Sequence, residues 1–133
     1  QFKDVHDEHT KFLDKIIKPN IPNQYMLNST HELLDVLEEN KTSVKKEHYI
    51  ISFDIVSLFT NIPLDESIEL ATEYVYSSNS TTTPNFSNDI FKKLLKFATG
   101  GIFTFHNTYY RQIDGVTMGS PLGNLFLGHL EKN

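Results

Sequence analysis

The chain has 133 residues, of which 38% are hydrophobic, and this is enough for one domain with a hydrophobic core. It contains no cysteine, which excludes a disulfide framework and any thiolate metal site. The formal net charge of −5 argues against a free-standing nucleic-acid binder, because contacts with phosphates need clustered lysine and arginine.

Neither a membrane span nor a signal peptide is predicted. No apolar run approaches the roughly 18 residues of a membrane span, and residues 1–20 lack the layout of a signal peptide. We therefore expect an intracellular protein without a membrane partner, in the nucleus or the cytoplasm. Because the chain begins with Gln1 rather than Met, we expect a processed product or a piece of a longer protein. Nothing in the sequence indicates the oligomeric state.

Two helices are predicted in the first third of the chain. Apolar residues at helical spacing predict the first helix, which ends before Pro19: Val5, Phe12, Leu13, Ile16 and Ile17. The second helix should begin near Ser29, whose hydroxyl would form a capping box with Glu32. Its apolar face would consist of Leu33, Leu34, Val36 and Leu37.

The stretch "YIISFDI", Tyr49–Ile55, is nearly unbroken in apolarity, which predicts a central strand covered on both faces. Asp54 near its end is costly to bury unless the carboxylate is paired, hydrogen-bonded or bound to a metal. Two interpretations remain open at this point. Asp54 caps the following turn with Ser57 or Thr60 as its partner, or it is a divalent-metal ligand presented by the end of a strand.

Two further helices are predicted in the middle of the chain. The first begins around Pro63 and Asp65 and runs to about Tyr76. The low-complexity stretch "SSNSTTTPN", residues 77–85, should then form a solvated loop. Ser87 could cap the next helix, which ends at a pair of glycines, Gly100 and Gly101.

The C-terminal third predicts a hairpin, a glycine-rich loop and a helix. "GIFTFHNTYYRQID" alternates and breaks at His106–Asn107, as in a β-hairpin, and Asp114 would shape the turn before Gly115. "GVTMGSP" can form a tight turn, or it can let the backbone approach a phosphate. Helices combined with few strands indicate an α+β or layered α/β domain.

Two motifs resemble a known family when they are taken together. "FDIVSLFTNIP" followed by "YYRQIDGVTMGSPLG" resembles the palm of a reverse transcriptase, most closely that of the Penelope-like retroelements. "KFLDKIIKP" and "PNFSNDIFKKLLKFATGGIFTFHNTYYRQIDG" are similar to the same group, so the resemblance covers much of residues 1–133. It implies an α+β fold, a partial fingers and palm region with a small, mostly antiparallel sheet packed by helices. It also implies a full-length parent that acts on an RNA template, a DNA primer and dNTPs.

The resemblance assigns roles to the first motif. Asp54 matches the catalytic aspartate that ligates two Mg²⁺ ions, and Ile55 would lend its backbone carbonyl to the metal on the nucleotide side. Phe59 matches the steric gate that packs against the sugar and favours deoxynucleotides. The competing interpretation of Phe59 is a core residue.

The second motif matches the loop that contacts the incoming nucleotide and the template. Many reverse transcriptases have Gln where this chain has Met118. The residues that the resemblance places at the nucleotide are Gln112, Gly115, Met118, Gly119, Ser120 and Pro121.

The chain also departs from the family pattern. The second metal-binding carboxylate, carried by a Tyr-x-Asp-Asp hairpin in the family, does not occur in this sequence, and about four residues are missing after Gly123. We therefore expect a polymerase fragment with an incomplete Mg²⁺ site that is inactive as this chain. The other hypotheses are a domesticated palm scaffold that binds nucleic acid or protein, and a remnant that does not fold stably.

Overall fold

The computed structural model describes residues 2–24, 26–43, 45, 48–49 and 51–132. This part of the chain forms six α-helices and two β-strands, which confirms the α+β class. The helices are α1 (Phe2–Ile17), α2 (Thr30–Asn40), α3 (Leu58–Asn61), α4 (Leu64–Val75), α5 (Asn88–Thr99) and α6 (Pro121–Lys132). The strands are β1 (Ile102–Phe105) and β2 (Thr108–Arg111), and a 3-10 turn, Lys18–Asn20, follows α1.

Four helices build the hydrophobic core. α4 packs against α1, α5 and α6, and α1 also packs against α5 and α6. The core side chains are Leu13, Ile16, Ile17, Ile62, Ile68, Leu70, Ala71, Val75, Phe91, Leu95, Ala98, Val116, Leu122 and Leu125. Burial of each large apolar side chain contributes about 1.5–3 kcal/mol, so this cluster is the main source of stability. Phe12, predicted on the apolar face of α1, instead points outward and is 48% exposed.

The predicted caps of two helices are confirmed. The hydroxyl of Ser29 accepts a hydrogen bond from the Glu32 N–H at 3.2 Å, and that of Ser87 accepts one from the Ile90 N–H at 3.4 Å. The capping box at α2 differs in one detail. The Glu32 carboxylate accepts from the N–H of Asn28 at 2.6 Å, one residue before the expected donor.

The predicted central strand is wrong for the residues of Tyr49–Ile55 that the structure describes. Tyr49 and residues 51–55 form no strand and are exposed, with Phe53 at 89%, while Ile50 lies outside the described residues. A strand that is buried on both faces needs partner strands and two covering layers. Within the described part of the chain, the sheet consists of β1 and β2 alone, and neither of them pairs with this segment.

The predicted hairpin is confirmed. β1 pairs antiparallel with β2, and Phe105 lies opposite Thr108. His106 and Asn107 at the turn both have positive φ, 46° and 58°, as a two-residue type I′ turn requires. All described side chains of both strands are exposed, so the expected packing of this sheet by helices is not observed.

The loop between α4 and α5 holds the ends of two helices. The hydroxyl of Thr82 donates to the carbonyl of Ile16 at 2.9 Å and accepts from the Asn20 side-chain amide at 2.7 Å. The hydroxyl of Thr83 donates to the carbonyl of Val75 at 2.8 Å. These carbonyls lie at helix C-termini, where no further helical N–H is available. The loop therefore caps α1 and α4, a role that its composition did not predict.

Replacement of Thr83 by Val keeps the side-chain shape but removes the donor to Val75. We expect a loss of about 1 kcal/mol in the free energy of unfolding, and a melting temperature lower by about 3–5 °C. Thr81→Val in the same loop is the matched control, because the Thr81 hydroxyl has no hydrogen-bond partner among the described residues. Thermal melts followed by circular dichroism measure both variants, and equal melting temperatures would contradict the capping role.

Candidate functional site

The two motif segments meet at α3. The N–H of Val116 donates to the carbonyl of Phe59 at 2.7 Å. Gly115 has a φ of +78°, and a Cβ built on it would lie 2.8 Å from the Phe59 carbonyl oxygen and 3.0 Å from the Cα of Thr60. Any side chain at this position would combine an unfavourable backbone conformation with a steric clash. Glycine at position 115 therefore permits the contact between the two motifs.

The ring of Phe59 packs against α6. A Cβ built on Gly123 would lie 3.2 Å from Cε1 of this ring, so the absence of a side chain at Gly123 makes room for it. The ring is partly buried against the hydrophobic core. The interpretation of Phe59 as a core residue thus accounts for part of its surface, and its role as a sugar gate stays a prediction.

Asp54 is exposed and does not cap the following turn. Its carboxylate forms no hydrogen bond or ion pair with any residue that the structure describes. The turn is closed by other groups instead: the Thr60 hydroxyl donates to the carbonyl of Ser57 at 2.9 Å, and the Asn61 amide donates to the carbonyl of Val56 at 3.2 Å. The capping interpretation of Asp54 is therefore wrong, and its interpretation as a metal ligand stays a prediction.

Ile55 and Met118 are exposed as well, by 52% and 84%. No hydrogen bond among the described residues joins Asp54 or Ile55 to the glycine-rich loop. The structure thus brings Phe59 to Gly115, Val116 and Gly123, and it leaves the predicted metal ligands on the surface.

Gln112 and Asp114 hold the turn that precedes the loop. The N–H of Gln112 donates to the carbonyl of Gly101 at 2.8 Å, and its side-chain amide donates to the carbonyl of Asp114 at 2.9 Å. One carboxylate oxygen of Asp114 accepts from the N–H of Gly115 at 2.8 Å, which confirms its predicted role in the turn. The same oxygen accepts from the N–H of Leu64 at 3.1 Å, the first residue of α4.

The second role of Asp114 could not be found from sequence spacing. The residue before α4 is Pro63, which has no side-chain group to cap the helix, so a carboxylate from a distant turn does so. The backbone N–H of Leu64, and then that of Gly115, hold the pKa of Asp114 below its usual value.

The end of the loop leads directly into α6. Ser120 and Pro121 are buried, and the Ser120 hydroxyl accepts from the N–H of Leu122 at 3.3 Å. Gly119 has a φ of +84°, and nothing lies within 4 Å of a Cβ built on it. Ser120 and Pro121 therefore anchor the helix, while Gly119 and Met118 face open space. A ligand could approach the loop at these last two residues.

Asp54 and its neighbours offer oxygen ligands, which Mg²⁺ prefers, but fewer of them than Mg²⁺ needs. The described residues contain no group of three His, Asp or Glu side chains that could hold a metal ion. Mg²⁺ takes six oxygen ligands and is commonly held by one or two carboxylates together with substrate phosphates. Asp54 and the carbonyl of Ile55 could thus bind a Mg²⁺ ion that is already bound to a nucleotide. Phosphate oxygens and water would fill the remaining coordination positions.

A separate cleft of about 500 Å³ lies between the 3-10 turn, α4 and α6. The hydroxyl of Tyr74 lies 3.2 Å from Nδ1 of His129 at its wall, and Glu73 and Lys132 also line it. None of the site residues predicted from the sequence lines this cleft.

Compared with protein-family models, curated proteins and solved structures, the chain matches none. No helix in the described ranges has both the length and the apolarity that crossing a membrane requires.

Two glycines of the loop provide a matched test of the contact at α3. Both have positive φ, so Ala at either position is strained by roughly 1 kcal/mol, but only at position 115 does the new Cβ meet the carbonyl of Phe59. We expect Gly115→Ala to lose about 1–3 kcal/mol more of the free energy of unfolding than Gly119→Ala does. Urea unfolding measures both, and equal losses would contradict the close contact.

Asp114→Ala should change the pH dependence of stability. Because its pKa is lowered on folding, Asp114 stabilises the protein above its unfolded pKa, and this contribution is lost as the pH falls through the folded pKa. Between about pH 6 and pH 3, wild type should lose more stability than Asp114→Ala, as measured by urea unfolding at both pH values. Asp35→Ala on α2 is the control, and the same pH dependence in wild type and Asp114→Ala would refute the capping role.

Proposed function

We propose that this chain is part of the palm region of a Penelope-like retroelement reverse transcriptase, an RNA-directed DNA polymerase. The order of "FDIVSLFTNIP" and "YYRQIDGVTMGSPLG" supports the proposal. The observation that carries it is the hydrogen bond of 2.7 Å from the N–H of Val116 to the carbonyl of Phe59. It joins α3, which follows Asp54 closely in the chain, to the glycine-rich loop, and the proposal assigns the nucleotide to this junction.

The residues would divide the binding of a dNTP among them. Asp54 and the Ile55 carbonyl would hold the metal that travels with the triphosphate. The free part of the Phe59 ring would lie under the sugar and exclude a 2′-hydroxyl. Gly119 and Met118 would face the nucleotide and the template. Mg²⁺, when bound, supplies charge neutralisation for phosphoryl transfer and activates the primer 3′-hydroxyl.

This set of residues is not sufficient for polymerisation. Two-metal catalysis needs a second metal-binding carboxylate, and the proposal assigns it to a Tyr-x-Asp-Asp hairpin of the full-length parent. The parent would also supply the basic surfaces that grip the RNA template and the DNA primer, because this chain has a net charge of −5. The chain on its own is therefore proposed to bind a nucleotide weakly and to be inactive.

A second candidate function is a palm scaffold without catalysis that binds a protein or a nucleic acid. The exposed apolar segment before α3 favours protein contacts, since Phe53 is 89% exposed and Val56 80% exposed. Contact with a nucleic acid would instead appear as primer-template binding that weakens steeply with salt.

An NMR titration of the amides with dTTP and Mg²⁺ tests the polymerase proposal on the chain itself. We expect shifts at Phe59, Gly115, Val116 and Gly119 at millimolar dTTP, with smaller shifts for ribothymidine triphosphate, which differs only by its 2′-hydroxyl, because of the sugar gate. Asp54→Asn should weaken binding several-fold, whereas Asp35→Asn on the exposed face of α2 should not. Shifts confined to other residues, or equal binding by Asp54→Asn, would refute the assigned site.

Three controls separate the hypotheses. A cooperative thermal melt excludes the unfolded remnant. Primer extension with Mg²⁺ on an RNA template should give no product, and extension by the pure chain would contradict the proposed inactivity. Binding of primer-template without any dTTP response would favour the binding module over the polymerase fragment.

A further inference from the structure

α2 is an amphipathic helix whose apolar side is not covered. No residue of the helix is buried. Its apolar stripe is 41–56% exposed and consists of Leu33, Leu34, Val36 and Leu37. An isolated helix of 11 residues is marginal in water, because most helix stability in proteins comes from packing of such a stripe. A surface that covers the stripe would therefore stabilise α2.

The charges of α2 indicate which charges the covering surface should carry. The polar side of the helix carries four carboxylates, Glu32, Asp35, Glu38 and Glu39. At about 100° per residue, Glu38 and Glu39 lie on opposite borders of the apolar stripe, and Glu38 is also paired with Lys41 at the end of the helix. A helix of this kind binds an apolar groove, and acidic borders require cations along the rim of that groove.

The outer face of α1 and the 3-10 turn has these properties. Lys11, Phe12 and Lys15 share one side of α1, and Phe12 is 48% exposed. Lys11, Lys15, Lys18 and Pro19 line a shallow groove on this side, together with Asp14, whose carboxylate is paired with Lys18 at 2.8 Å. Lysine stems are apolar along their length, so this basic groove is also apolar.

We propose that α2 of one copy of this chain binds the basic groove of a second copy, and that α2 of the second copy binds the basic groove of the first. Each chain carries one acidic apolar stripe and one basic groove, so a two-fold exchange covers both sets in both copies. Within one chain, α2 is not among the described elements that pack against α1, so its stripe does not cover the groove of its own copy. The dimer does not depend on the proposed polymerase function.

Charge reversal in two variants tests the exchange. Glu38→Lys with Glu39→Lys makes α2 basic, and Lys11→Glu with Lys15→Glu makes the groove acidic. Each variant alone should dimerise at least tenfold more weakly than wild type, as measured by sedimentation equilibrium. An equimolar mixture should recover the wild-type dissociation constant to within about threefold, because each copy then meets an opposite charge at both contacts. Salt should weaken the wild-type dimer.

Two further measurements exclude indirect effects. Glu and Lys have similar helix propensities, and unchanged cooperative melts would show that both variants fold. Lys15→Glu alone should weaken the dimer, whereas Lys93→Glu on the exposed side of α5 should not. Any of three results would overturn the proposal: a wild type that is monomeric at all concentrations, a dimer whose dissociation constant is unchanged by charge reversal, or a mixture that stays monomeric. The first of these would be the outcome if α2 folded onto the groove of its own chain.

Discussion

The close approach of Gly115 to α3 determines how three helices are placed. With no side chain between them, the backbones of Gly115 and Phe59 come near enough for Val116 to donate to the carbonyl of Phe59 and to bury its own side chain. Asp114, one residue earlier, then reaches the first N–H of α4. Gly123, eight residues later, lies beneath the ring of Phe59. One short loop thereby sets the starts of α4 and α6 relative to α3.

Features of this fold that depend on neighbours in the chain were predictable. Ser29 and Ser87 cap their helices through N–H groups three residues away, and the turn at His106 and Asn107 depends on those two residues alone. Asp114 shows where such reasoning stops. Its bond to Gly115 was predictable from adjacency, but its bond to Leu64 crosses 50 residues and exists only because the loop packs on α3.

The segment Tyr49–Ile55 shows a different limit. Its composition is that of a buried strand, yet burial is a property of the surroundings, and the described residues offer it neither a pairing strand nor a covering layer. The same distinction applies to the candidate site. Residue types and order suggest the metal and nucleotide roles of Asp54 and Phe59 and leave a core role for Phe59 open, whereas the packing shows that its ring is partly buried against the core.

The loop between α4 and α5 has the serine and threonine content of an unstructured spacer, but its hydroxyls occupy carbonyl groups at the ends of two helices. The hydroxyl groups at positions 82 and 83 are therefore constrained, although the composition of the loop does not show it. Exchange between Ser and Thr at position 83 retains the hydroxyl, so mutational drift of that kind would be nearly silent. A change to Ala or Gly at both 82 and 83 would let the C-terminal ends of α1 and α4 fray together. This loop thus couples two helices that are distant in sequence.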